Sequence, residues 1–128
     1  MGLPKQSTKQ ADERLEADKK QAERLPELLR SVSKTQIALR KAEQSNAPVE
    51  ELRRLDLELD EVLTEAMRAA YAEKRVLIGP KGYTDRIYRR KRSAKPAVRE
   101  VLDTAERLLT AREEHRLHGI RRSPLSRV

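Results

Sequence analysis

Two apolar seams that step by three and four residues, parted by a single turn signal, restrict this chain more than anything else in it. The first reads Ala11, Leu15, Asp18, Ala22, Leu25, Leu29, Val32, Gln36 and Leu39; the second reads Leu52, Leu55, Leu59, Val62, Ala66 and Ala69. Such steps gather side chains on one stripe of an α-helix, whereas a strand would alternate every second residue. Leu63, Met67 and Ala70 widen the second stripe. Between the seams lies Ser45-Asn46-Ala47-Pro48, and Pro48 suits the first turn of a following helix, where its missing N–H costs nothing. Residues 8–78 are therefore expected to form a long antiparallel helical hairpin, coiled-coil-like, with helices over about 8–43 and 49–78.

Composition agrees with an all-α class. The chain lacks Phe and Trp, its aromatics are Tyr71, Tyr83 and Tyr88, and it has 17 Leu but only seven Val and four Ile. A sheet core draws on aromatic and β-branched residues, while Leu, Ala, Glu, Lys, Arg and Gln are strong helix formers. At 128 residues there is chain for one domain. No cysteine is present, which removes disulfide and thiolate chemistry. No apolar stretch has the length of a signal peptide or membrane span, so the expectation is a soluble, cytoplasmic protein without membrane contact.

Local signals mark the element ends. Ser7 and Gln10 have the spacing of a capping box. Pro26 removes one backbone hydrogen bond within the first seam; since the heptad phase continues across it, a kink is favoured over a break. Gly79-Pro80-Lys81-Gly82 stops the second helix and opens a basic loop or short helix over 79–95, with Thr84 as its expected cap. The glycine-lysine pair there is a turn and not a phosphate loop, because it lacks a preceding strand and a Lys-Ser/Thr end. A third helix is expected over 96–119, after Pro96 with Ser93 as a nearby cap, carrying Val98, Val101, Leu102, Ala105, Leu108 and Leu109. Residues 1–7 read as a frayed N-terminus and 120–128 as a basic tail.

Charge is divided unevenly. Residues 1–78 carry 15 Lys/Arg against 15 Asp/Glu, and residues 79–128 carry 14 against 6, so the whole +8 lies in the second part. A neutral, leucine-rich part joined to a basic part suggests assembly by one and polyanion contact by the other. The candidate binding residues are Lys81, Tyr83, Arg86, Tyr88, Arg89, Arg90, Lys91, Arg92, Lys95 and Arg99, extended by Arg121, Arg122 and Arg127 if the third helix returns them. Cations at this density displace counterions from phosphates, and interleaved tyrosines can stack on bases. No helix-turn-helix fits, and Pro96 interrupts any basic-zipper helix, so recognition by charge and shape is expected over base readout.

Helices this long and thin bury little alone, so self-association is expected through Leu15, Leu25, Leu29, Val32, Leu39, Leu52, Leu55, Leu59 and Val62, with Asp18 and Gln36 setting register. The expected partners are thus nucleic acid (DNA or RNA) or an acidic protein surface, plus a second copy. A scaffold, connector or adaptor protein would carry the same features. No small-molecule substrate, cofactor or metal is indicated: His115 and His118, even with Asp56 and Asp60, lack the ExxH pairs of a di-iron bundle. Arg112 and His118 have an R-x5-H spacing that resembles the ribonuclease motif of HEPN-type helical bundles, though it lacks the polar residue such proteins usually carry just after the Arg, where Glu113 stands. The resemblance covers that motif alone and would imply joint action of Arg112 and His118 on an RNA phosphodiester.

Overall fold

The computed structural model describes residues 5–122, and among them all regular secondary structure is helical, without strands. Residues 1–4 and 123–128, with Arg127, lie outside that description. Helix α1 spans Lys5–Glu23, α2 Leu25–Gln44, α3 Val49–Ile78, α4 Arg86–Arg92 and α5 Pro96–Glu114; a 3-10 turn covers Pro80–Tyr83 and a wide π turn covers His115–Gly119. Among the described helices, none is long and apolar enough to cross a membrane.

Helix α3 is the axis of the molecule, and α1, α2 and α5 all pack along it. Asp18 of α1 pairs with Arg75 and Arg24 pairs with Glu65, so the chain before the Ser45–Pro48 turn runs antiparallel to α3. On α5 the partners recede again: Arg112 meets Thr64, Arg116 meets Asp60, and Arg121 meets Asp56. Helix α5 is therefore antiparallel to α3 as well. Ala66, Ala69, Ala70 and Ala105 are fully buried where these helices meet, because methyl side chains let helix backbones approach closely. Leu28, Val32, Leu59, Leu63 and Leu108 fill the space around them. Full burial of a leucine such as Leu63 stabilises by about 1.5–3 kcal/mol.

The expected bounds of α3 hold at both ends. Asn46 takes a left-handed φ of 55° in the preceding turn, and Gly79, at φ 96°, closes the last turn of α3. Gly82 is required for packing: a Cβ there would sit 2.4 Å from Ile78 Cγ2.

The first helix differs from expectation. It begins at Lys5, two residues ahead of the expected Ser7 cap, and it is interrupted at Arg24, so α1 and α2 are separate helices. Pro26 then occupies the first turn of α2, where no hydrogen-bond partner is needed for its nitrogen. After the interruption, Leu28 and Thr35 take the inward places expected of Leu29 and Gln36, while Val32 and Leu39 keep theirs. Beyond Leu25 the buried positions are Leu28, Val32 and Thr35, with Leu39 half-buried, while Leu29 (37% exposed) and Gln36 face outward. The leucine pair at 28 and 29 fits either phase, and Leu28 is the one that faces the core. In the other helices, Leu55, Leu59, Val98, Ala105 and Leu108 are buried as expected, and Leu15, Leu25, Leu52, Val62, Val101, Leu102 and Leu109 are half-buried.

Two caps also differ. Asp85, not Thr84, caps α4, its carboxylate accepting the Tyr88 N–H at 2.9 Å. Ser93 donates to the Arg89 carbonyl at 2.7 Å and so closes α4, while Lys95 precedes α5.

Candidate nucleic-acid interface

Helix α4 is a short, solvent-facing helix with no buried residue, set across the C-terminal end of α3 by the Pro80–Tyr83 turn. Residues 81–99 hold eight Lys/Arg and a single acid, Asp85, which is engaged at the helix cap. Arg86, Arg90, Lys91, Lys95 and Arg99 are exposed, and none has a carboxylate within ion-pair distance among the described residues. Arg86, Arg89 and Arg90 share an open depression of ≈ 470 Å³ with Ile87, Ser93 and Lys74 of α3. Lys74 escaped the sequence reading because it lies on α3, twelve residues before Arg86, and only the reversal at Gly79–Tyr83 brings it across.

The other candidates are bound into the fold to differing degrees. Arg89 donates Nη1 to the Gly82 carbonyl at 3.1 Å, which fixes its stem against the turn. Tyr88 is half-buried, with Lys81 Nζ 4.9 Å from its ring centroid and Arg92 at 5.8 Å. Cation–π contacts of this sort are worth only about 0.5–1 kcal/mol where exposed, so they orient both cations without locking them.

Tyr83 is committed. Its hydroxyl donates to Asp18, and Arg14 lies over its ring at 5.0 Å. Arg75 completes the cluster, donating Nε and Nη2 to the two Asp18 oxygens at 2.8 and 3.0 Å. Asp18 thus finds its partners within its own chain, where the sequence pattern suggested a register device between copies. Burial alone would raise the Asp18 carboxyl; the hydrogen bonds from Arg75 and Tyr83 and the charges of Arg75 and Arg14 outweigh it and hold the group below its ordinary value. Burial, followed by the bond to Asp18, pushes the Tyr83 hydroxyl up to about 12.

Arg121 and Arg122 do not join α4. Arg121 Nη1 donates to both oxygens of Asp56 at 2.8 and 2.9 Å, its main-chain N–H adds a bond at 2.9 Å, and Nη2 reaches Glu43 at 2.6 Å. Asp56 lies 22 residues before Ile78 on α3, which at ~1.5 Å per residue is about 33 Å of helix. The antiparallel course of α5 carries the C-terminal arginines to the far end of the molecule.

The histidines and Arg112 are placed by the same strap. His115 Nε2 lies 2.7 Å from the Asp56 carbonyl, and the hydrogen bonds from Arg116 hold the Asp60 carboxyl below its ordinary value. Arg112 donates Nε to Thr64 Oγ1 at 2.7 Å and Nη1 to Glu113 at 3.1 Å, whereas His118 is exposed. Among the described residues, no group of three or more acidic or histidine side chains is placed to hold a metal ion.

Comparison with models of protein families, with curated proteins and with solved structures finds no match.

Proposed function

We propose that this chain is a small nucleic-acid-binding accessory protein that grips the phosphate backbone through α4 and the residues flanking it. One observation carries the reading: Lys74, Arg86 and Arg90 line one depression at the end of α3, and among the described residues no carboxylate lies within ion-pair distance of them. Charge held on a short rigid helix favours contact with evenly spaced phosphates, and the lack of a long polar recognition helix favours binding without base readout. The exposure of Leu29, Ile37, Val49 and Leu57 on α2 and α3 supports self-association of the helical part. Commitment of Arg112 to Thr64 and Glu113 favours binding over a ribonuclease role for Arg112 and His118.

The test is fluorescence anisotropy with labelled duplex DNA and single-stranded RNA at two salt concentrations. The variant is Arg86→Ser/Arg90→Ser/Lys91→Ser, whose native side chains make no hydrogen bond among the described residues. Wild-type affinity should fall steeply with salt, and on duplex the variant should lose about 0.9 in the log–log salt slope for each phosphate contact removed. Absence of binding at low salt by the folded protein would sink this reading. An acidic protein surface would then be the occupant, a role favoured by Ile87, which is 69% exposed in the middle of the basic helix.

A further inference from the structure

We infer that a small cavity between α1, the end of α3 and the Pro80–Tyr83 turn is a pocket for a phosphomonoester, the terminal phosphate of a nucleic-acid strand; the strand part rests on the function proposed above. The cavity measures ≈ 60 Å³ and is lined by Arg14, Arg75 and Arg89 beside Ile78, Gly79 and Gly82. A single water needs about 10–15 Å³ of such space, so the cavity has room for a ligand larger than one water.

The charges are unbalanced there. Three arginines line the cavity, and among the described residues the one carboxylate that pairs with any of them is Asp18, which leaves two positive charges. Their N–H groups are also in excess. Arg75 gives Nε and Nη2 to Asp18 and Arg89 gives Nη1 to Gly82, while Arg14 has no hydrogen-bond acceptor among the described residues. Two of them are held in place, Arg75 by Asp18 and Arg89 by the turn carbonyl, while the face of Tyr83 orients Arg14 without locking it. Positioned forks with spare donors are the arrangement that recognises a phosphate.

Charge separates a strand end from its interior. A phosphomonoester carries about −1.5 to −2 at neutral pH, which matches the two unbalanced charges better than the single charge of an internal diester. Arg89 also lines the depression along α4, so a strand tracking Lys74, Arg86 and Arg90 reaches the cavity with its end.

The experiment compares one oligonucleotide carrying a 5′-phosphate, a 3′-phosphate or only hydroxyl ends, bound to wild type, Arg14→Gln and the triple α4 variant. A phosphorylated end should bind about tenfold tighter than the hydroxyl form, as expected for added hydrogen bonds to a charged group. Arg14→Gln should erase that preference and leave hydroxyl-ended binding within about twofold; Arg14 is exposed on α1, and matching melting curves without ligand verify its fold. Equal affinity for phosphate and hydroxyl ends in wild type overturns the pocket while leaving α4 binding intact. If no oligonucleotide binds, the strand reading falls and inorganic phosphate decides the pocket by thermal denaturation. A rise in Tm that Arg14→Gln abolishes upholds a phosphate site; no rise overturns it.

Discussion

The Asp56 carboxylate, without any solvent exposure, is enclosed by Arg121, which supplies both its guanidinium and its main-chain N–H. This contact spans 65 residues of sequence and fastens the C-terminal strap to the first half of α3. A buried carboxylate is stable only while its partner stays, because desolvation is repaid through those bonds alone. Arg121→Ala should therefore destabilise by about 3 kcal/mol, measured by urea denaturation. Loss of less than about 0.5 kcal/mol would show that Asp56 is not held this way.

The Asp18 cluster sets a dependence on acid and alkali. The Asp18 carboxyl titrates below its ordinary value in the fold, so its contribution is present above the unfolded-state value and is lost as pH falls through the folded one. Tyr83 is shifted the other way, from 10.0 to about 12, so its contribution is complete below pH 10 and is lost as pH rises toward 12. Stability curves should decline on both sides. Asp18→Asn should flatten the acid limb, and ultraviolet titration should show one late-ionising tyrosine that disappears in Tyr83→Phe.

Leu28 and Leu29 are chemically identical neighbours on opposite sides of a boundary. Leu28→Ala removes packed volume from the core and should cost about 2–5 kcal/mol. Leu29→Ala, at a surface position, should cost under about 0.5 kcal/mol in the monomer. Equal losses at low protein concentration would show that Leu29 shares the core with Leu28.

The two ends of the molecule should respond differently to charge removal. Lys74→Ser should weaken nucleic-acid binding as Arg90→Ser does, since both line the α4 depression. Arg122→Ser should leave affinity unchanged, because its neighbour Arg121 is anchored at Asp56, far along α3. Anisotropy titrations of the three single variants decide this, and a loss in Arg122→Ser equal to that in Lys74→Ser would show that the tail contributes.

Much of the helical pattern was legible without coordinates. Periodic leucines and alanines located α3 from Val49 to Ile78 because a stripe of apolar side chains is a local property of spacing, and Gly79 closed it because few other residues tolerate its φ. The density of cations over 81–99 was equally plain, since composition needs no fold. The inward leucine of α2 was not, because Leu28 and Leu29 satisfy the same spacing rule and packing against α3 separates them.

Sequence alone thus determined the helical class, the bounds of α3 and the place of the unbalanced charge, all of which depend on neighbours within a few residues. Tertiary structure decided which charges remain available. Asp18 with Arg75, Asp60 with Arg116 and Asp56 with Arg121 are separated by 57, 56 and 65 residues. Only the antiparallel packing of α1 and α5 on α3 brings each carboxylate to its arginine, and so turns some cations into parts of the scaffold while leaving those around α4 open.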